Sequence, residues 1–287
     1  MGARLCLTLL LALLCATSAA DAAGKGPKAS HVFVVVLENH ELDEVVGSPE
    51  APFFNYLAQR GALAVNYYGI THPSLPNYLA LLAGSTFGIT ENCGDCLVPG
   101  LNLATQLSRA GISCKAYMGG MPYPCYTGGN FGDYAKRHDP FVYFPSLTAL
   151  PKRCARIVPE AQLWADLEAH RLPAFGWLTP DLCRDAHDCM FAAADYYLYL
   201  LVPRIMRQLG PHGLLIVTFD EGLSDSGGGG WIATILAGPD VPHGIQIRRV
   251  VNHYSLLAGL EDRFGLPRLG LAATAPPLVP WLFSAGD

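Results

Sequence analysis

The residues with the most chemistry to offer lie in three short peptides that follow apolar runs. Glu38-Asn39-His40 follows the run His31 to Leu37. Asp220-Glu221-Gly222 follows the run Gly213 to Phe219. Thr179-Pro180-Asp181, with Asp185, His187 and Asp188 behind it, follows Ala174 to Leu178. Taken singly, each acid suits a helix cap or a solvated loop. Taken together, carboxylates gathered at one place are costly unless paired or bound to a cation. An oxygen-rich set suits a hard divalent cation or zinc. A fourth peptide, Gly69-Ile-Thr-His-Pro-Ser-Leu-Pro-Asn-Tyr78, puts Ser74 just ahead of a helical pattern. The N–H groups and positive dipole end of a helix N-terminus stabilise an anion, so Ser74 reads as a nucleophile or as an ordinary N-cap. The G-x-S-x-G elbow of a Ser–His–Asp hydrolase is absent there.

Two further peptides carry weaker signals. Lys136-Arg137-His138-Asp139-Pro140 offers three basic-capable groups that can neutralise a phosphate or form a solvated loop. The Gly227 to Gly230 run lacks the Lys and the helix of a phosphate loop and reads as a flexible edge loop. His253 opens a helix and suits a ligand or a satisfied core position.

The elements that must position these residues alternate. His31–Leu37, Ile112–Tyr117, Ala174–Leu178, Gly213–Phe219 and Ile232–Ala237 read as strands. Asn55–Gly61, Pro76–Ala83, Leu101–Ala110, Ala161–His170, Ala192–Leu209 and His253–Phe264 read as helices. The continuous β-branched run of the first strand suits burial on both faces of a parallel sheet. Alternation of this kind predicts an α/β three-layer sandwich with a mainly parallel sheet. Ligands of such sheets bind beyond the carboxyl ends of the strands, where the acidic peptides fall.

Composition narrows the class. Hydrophobic residues make up 51% and charged residues 15% of the 287, which excludes a disordered chain or a coiled coil. A formal net charge of -5 without a basic stripe argues against nucleic-acid binding. Residues 1–23 read as a signal peptide: Arg4, an apolar run from Leu5 to Ala16, then small residues with cleavage after Ala20 or Ala23. That run is short of the roughly 20 residues that span a bilayer, and no later stretch qualifies. Residues 24–30 read as a linker and 31–287 as one domain, in a secreted or periplasmic protein. Seven cysteines remain after the leader, an odd number, so structural disulfides are expected with one thiol free or paired between chains. Spacing leaves their connectivity open.

The peptides, in this order, resemble the bacterial phosphoesterase family of the alkaline phosphatase superfamily. The resemblance rests on Glu38-Asn39-His40, Thr71-His-Pro-Ser-Leu-Pro-Asn77, Lys136 to Pro140, Pro180 to Cys189, Phe219 to Gly222 and Asn252 to Leu257. It runs from about His31 to Leu269 and is nearest to small secreted acid phosphatases, including those acting on phosphatidylinositol 3-phosphate. It implies Ser74 as nucleophile, with Thr71 as runner-up, and Asn77 as a donor to phosphate oxygen. It implies Glu38, Asn39, Ser74, Asp220, Glu221 and Asp185 as ligands of a divalent cation. Glu221 stands where many superfamily members have His, which leaves Ca, Mg, Mn and Zn undistinguished. Asp181, Asp185, His187 and His253 are the candidates for a second metal. His138 and Lys136 are implied as substrate-binding groups, and His187 or His253 as the acid for the leaving group. The expected function is a secreted phosphomonoesterase of the acid phosphatase type working through a phosphoserine, on a phosphorylated small molecule or lipid headgroup. A phospholipase C-type diesterase and a non-catalytic, cation-dependent binding protein are the competing readings.

Overall fold

The computed structural model describes residues 30–278. The expected signal peptide, and the linker up to Ala29, lie outside the described residues. One nine-stranded sheet organises the rest. Its strands are β1 (Val32–Leu37), β2 (Ala62–Tyr68), β3 (Cys114–Met118), β4 (Ile157–Pro159), β5 (Phe175–Thr179), β6 (Leu214–Phe219), β7 (Trp231–Ala237), β8 (Ile245–Ile247) and β9 (Val251–Asn252). The order is β4-β3-β5-β1-β6-β7-β2-β8, with β9 beside β2. All pairings are parallel except those of β7, which runs against β6 and β2. The expected α/β fold with a mainly parallel sheet is therefore present.

The central strands are apolar because both faces are covered. Every residue of β1, β5 and β6 is buried. The Pro52–Arg60 helix packs on Phe191–Met206, and the Ser74–Ala83 helix packs on His253–Arg263 and Leu103–Arg109. The register does the positioning. Leu37 of β1 lies opposite Phe219 of β6, so the next residues, Glu38 and Asp220, leave the sheet side by side. The Asp220 N–H donates to the Leu37 carbonyl at 3.0 Å, which continues the ladder past the strand ends. On the other side of β1, the Glu38 N–H donates to the Asp185 carbonyl at 2.8 Å. Three peptides far apart in sequence are thereby tied together by backbone bonds.

Three disulfides join Cys93 to Cys96, Cys125 to Cys154 and Cys183 to Cys189. Among the described residues Cys114 is the free thiol, and burial pushes its pKa up to about 12, against a weaker opposing effect of Arg156.

Glu261 is fully buried at the end of the His253–Arg263 helix. One of its carboxylate oxygens accepts from the Leu269 N–H at 3.0 Å, while among the described residues the other meets no hydrogen-bond criterion. Burial pushes its pKa up to about 8, although that bond and Arg268 oppose it. A raised carboxyl pKa favours the folded state in acid and is a liability as pH rises through the folded value. Glu261→Gln should therefore flatten the fall in unfolding free energy between about pH 5 and pH 8, by at most ~1.4 kcal/mol per unit. Denaturant titrations of both proteins at the two pH values check this.

Candidate active site

The Ser74–Ala83 helix begins at Ser74 itself, with Pro73 as its N-cap and no side-chain cap bond. The N-cap reading of Ser74 is thereby corrected. Pro76 falls in the first turn, where a missing N–H breaks no intrahelical bond. Ser74 is buried, and its hydroxyl donates to Glu221 Oε1 at 3.1 Å and lies 3.4 Å from Glu38 Oε2. A hydroxyl has one proton, so these two acceptors compete for it.

Four carboxylates surround this point: Glu38, Asp185, Asp220 and Glu221, all buried. Burial, more than any other cause, drives each carboxyl pKa up. Mutual repulsion adds to it, Asp220 and Asp185 acting on Glu38 and Glu221 acting on Asp220. Asp185 reaches about 8. Tyr78, one helical turn beyond Ser74 on the same face, donates its hydroxyl to Glu38 Oε1. His138 Nδ1 sits 3.2 Å from Asp185 Oδ2 and 3.3 Å from Glu38 Oε1, and its ring stacks on Tyr78. Burial pushes the His138 pKa well down, with Arg137 and His187 adding to the effect.

Asn39 has φ of 50°, a left-handed conformation that Asn tolerates better than most residues. Its N–H lies 3.5 Å from Asp220 Oδ1. Among the described residues, the buried acceptors Asn39 Oδ1 and Asp220 Oδ2 have no hydrogen-bond partner, nor does His138 Nε2 in the same cluster. Buried acceptors without donors, beside four carboxylates that repel one another, are what a cation would satisfy. Glu38, His138 and Asp185 each offer a ligand atom within 4.8 Å of the others, so this buried triad could hold a metal.

Several expected residues sit elsewhere or act differently. Asn77 was expected to donate to a phosphate oxygen. Its Oδ1 accepts from the Ile70 and Thr71 N–H groups at 2.8 and 3.2 Å, and its Nδ2 donates to the Thr71 carbonyl at 2.6 Å and lies 3.4 Å from Glu221 Oε2 at the site. It is the clamp that shapes the turn before Ser74, because a side-chain amide can serve a carbonyl and N–H groups at once. Asn77→Ala should lower the unfolding free energy by about 2–4 kcal/mol, since two backbone donors lose their acceptor in a buried place. Chemical denaturation measures it.

Lys136 was expected to bind substrate. Its Nζ donates to the Gly94 and Thr127 carbonyls at 2.7 and 3.0 Å and so ties two loops together. His138, also expected on the substrate, belongs to the buried carboxylate cluster. His253 is fully buried, with Tyr67 on Nδ1 and the Asp220 carbonyl on Nε2. With both nitrogens engaged and its pKa pushed down to about 4 by burial, against the Asp220 bond, it has no free proton for a leaving group. Asp181 pairs with Arg184, at 2.7 Å to Nε, and its charge helps to raise the pKa of neighbouring Asp185. His187 lies at the rim, half-buried, with Nδ1 2.6 Å from Asp188 and Arg137 donating to Nε2 at 3.1 Å. Thr71 Oγ1 donates to the His72 carbonyl at 3.3 Å.

Two site residues escaped the sequence reading, His72 and Tyr78, while Arg137 was singled out there only as one of three basic groups able to neutralise a phosphate. His72 Nδ1 is 2.6 Å from Glu221 Oε2, and its Nε2 is 3.0 Å from the Ser224 carbonyl. Partial burial would lower its pKa, but the Ser224 carbonyl and the Glu221 carboxylate overturn that and raise it. Both His72 and Tyr78 lie inside the peptide already singled out for Ser74. Spacing from Ser74 was the available signal for Tyr78, but nothing local marks His72 as facing Glu221.

A model of the Phosphoesterase family matches residues 48–267. The chain belongs to that family. It is 34% identical over 261 residues to a phosphatidylinositol-3-phosphatase of Mycobacterium tuberculosis, covering 90% of this chain and 84% of that protein. It is 30% identical over 258 residues to an acid phosphatase of Aspergillus fumigatus, covering 86% of this chain but only 57% of the longer fungal protein. In structure it is similar to a protein in the alkaline phosphatase superfamily from Vibrio parahaemolyticus, with a TM-score of 0.59 at 15% identity, over 87% of this chain and 70% of that one. The lipoteichoic acid synthase LtaP from Listeria monocytogenes gives a TM-score of 0.57 at 10% identity, over 90% and 75% of the two chains. At these identities the structures establish a shared fold. The phosphoesterase family fold expected from the sequence is thus the one present.

Proposed function

We propose that this chain is a phosphomonoesterase of the acid phosphatase type that uses Ser74 to take up the phosphoryl group. The observation that carries the reading is the setting of the Ser74 hydroxyl. It lies buried at a helix N-terminus, between two carboxylates of a four-carboxylate cluster with orphaned acceptors. Membership of the Phosphoesterase family makes the chain a hydrolase of phosphoric esters. The curated relatives named phosphatidylinositol-3-phosphatase and acid phosphatase support monoesters as the substrate.

Glu38, Asp185, Asp220 and Glu221, with Asn39 Oδ1 and His138, would hold a divalent cation. Such an ion supplies charge stabilisation and a lowered hydroxyl pKa. The protein's own groups do the rest. Glu221 accepts the Ser74 proton, and His72 behind Glu221 holds that carboxylate in place. The Ser74 oxygen attacks phosphorus in line with the leaving oxygen, and a phosphoserine forms that water then hydrolyses. The helix N-terminus and Arg137 face the charge that develops on the equatorial oxygens. With substrate bound, Arg137 turns from His187 Nε2 to the phosphate, and the freed Nε2 carries the proton for the leaving alkoxide.

Export to an oxidising compartment, the cell exterior or a periplasm, is part of the same proposal. Three disulfides within one chain support it. The test of the reaction class compares p-nitrophenyl phosphate with bis-p-nitrophenyl phosphate on the purified chain. The monoester should be hydrolysed and the diester spared. Cleavage of the diester alone would replace the proposal with a diesterase.

A further inference from the structure

Two buried carboxylates stand outside the four-carboxylate cluster, Glu160 and Asp181, 5% and 8% exposed. Glu160 directly follows β4, and its N–H donates to the Met118 carbonyl at the end of β3, at 2.9 Å. Its Oε1 accepts from three groups on three segments. Trp164 Nε1 reaches it at 3.2 Å from the Ala161–Glu168 helix, and the Tyr197 hydroxyl at 2.8 Å from the Phe191–Met206 helix. The third donor is Arg184 Nη1, at 3.1 Å, from the loop after β5. Two helices and a strand end therefore fix this carboxylate in the scaffold, and Arg184 ties the loop to it.

Arg184 passes that fixity on toward the site. Its Nε donates to Asp181 Oδ2 at 2.7 Å, and its Nη2 donates to the same oxygen. Its own backbone N–H donates to Asp181 Oδ1 at 3.0 Å, and its guanidinium lies 5.2 Å from the centre of the Tyr197 ring. Gly119 holds Asp181 from the other side, since a Cβ there would lie 2.0 Å from the Asp181 nitrogen. The Asp181 carbonyl then accepts from the Asp185 N–H at 2.8 Å. Asp185 enters the cluster with every oxygen engaged. Its carbonyl accepts from the Glu38 N–H, its Oδ1 accepts from the His187 N–H at 2.8 Å, and its Oδ2 faces His138.

We propose that Arg184 is a positioning residue: forked between scaffold-held Glu160 and Asp181, it sets the place of Asp185 in the carboxylate cluster and thereby the cation affinity of the site. The inference rests on the cation reading of that cluster, and it gives Asp181 the task of supporting a ligand in place of being one. Among the described residues, no hydrogen bond or salt bridge joins Arg184 to Glu38, Asp185, Asp220 or Glu221, so it acts through Asp181. An ion pair taken out of water is often no more stabilising than apolar packing of the same volume, so fixed geometry is what this one has to offer. A guanidinium suits the task, because its donors point in set directions and can serve two carboxylates at once.

The test titrates Mn²⁺ calorimetrically into the full chain freed of metal by chelator. Arg184→Met, Arg184→Lys and Arg204→Met are titrated beside the parent, at a temperature where circular dichroism shows each to be folded. Arg184→Met should bind Mn²⁺ about tenfold or more weakly, the scale on which groups that orient a metal ligand act. Its p-nitrophenyl phosphate turnover should need a correspondingly higher Mn²⁺ concentration for half its maximum. Arg184→Lys keeps the charge but not the fork, and should recover only part of the affinity. Arg204→Met removes an arginine from over the nearby Trp164 ring and should match the parent. Mn²⁺ binding by Arg184→Met within twofold of the parent, or full recovery in Arg184→Lys, would overturn the positioning. A merely structural role would lower the unfolding temperature and leave both Mn²⁺ readings in place. No Mn²⁺ binding by the parent would strike the cation reading, and the positioning would fall with it.

Discussion

Replacing Ser74 with Ala is expected to lower p-nitrophenyl phosphate turnover by about a thousandfold or more, the scale on which covalent nucleophiles fail when removed. Stability should change by less than about 1 kcal/mol. Ser74 is the first helical residue and not the cap, and Ala is a good helix former there. The hydroxyl's loss removes one bond to Glu221 and relieves none of the backbone. A capping serine would give the opposite pattern, with lost stability and retained turnover. Steady-state kinetics and thermal unfolding on one preparation separate the two.

Asp220→Asn should separate activity from stability even more sharply. Asp220 is fully buried, with an unpartnered Oδ2 beside the Glu38, Asp185 and Glu221 carboxylates. Burial raises the pKa of all four, and repulsion adds to it at Glu38, from Asp220 and Asp185, and at Asp220, from Glu221. The sign follows from linkage. Raised carboxyl pKa values mean that the folded chain holds more protons than the unfolded one, so stability falls as pH rises past the ordinary carboxyl range near 4 and through about 8 for Asp185. In chelator, the carboxylate cluster should therefore weaken the parent steadily as pH rises from neutral toward alkaline values, while buried neutral His138 and His253 oppose stability in acid. Asp220→Asn in chelator should be more stable than the parent at pH 8, by about 1–3 kcal/mol, because one buried charge is gone. With a divalent cation present the order should reverse, since the parent gains binding energy that the variant lacks. Turnover of the variant should fall by about a hundredfold or more. Calorimetry with and without chelator, paired with kinetics, reads all of this.

Much of this arrangement is legible in the chain. β1 and β6 announce themselves as unbroken apolar runs, and the acids after them fall at the carboxyl edge where open sheets bind ligands. The register that sets Leu37 opposite Phe219 is not written in either run. It follows from pairing across the sheet. β2 was missed because Ala62–Tyr68 mixes small and aromatic residues without a clear period, and its burial comes from β7 and the strands β8 and β9 beside it. The reversed direction of β7 is invisible to periodicity, which is the same either way along a strand.

In the site, residue type pointed to the carboxylates and Ser74, because charge has to be compensated wherever it is buried. Partner choice was not legible for residues with two plausible tasks. Asn77 and Lys136 can bind phosphate or shape loops, and the backbone groups within their reach decide for loops. His253 and His138 read alike in sequence. One is closed off by Tyr67 and a carbonyl, and the other faces two carboxylates. His72 was missed because its partner, Glu221, is distant in sequence.

The central claim is that the phosphoryl group passes to Ser74. The most direct measurement mixes the full chain with p-nitrophenyl phosphate, quenches in acid during turnover, and maps phosphate by peptide mass. The account predicts a single phosphorylated peptide, with the phosphate on Ser74 and none in the Ser74→Ala variant. Phosphate on Thr71 or on a histidine, or wild-type turnover by the alanine variant, would contradict it.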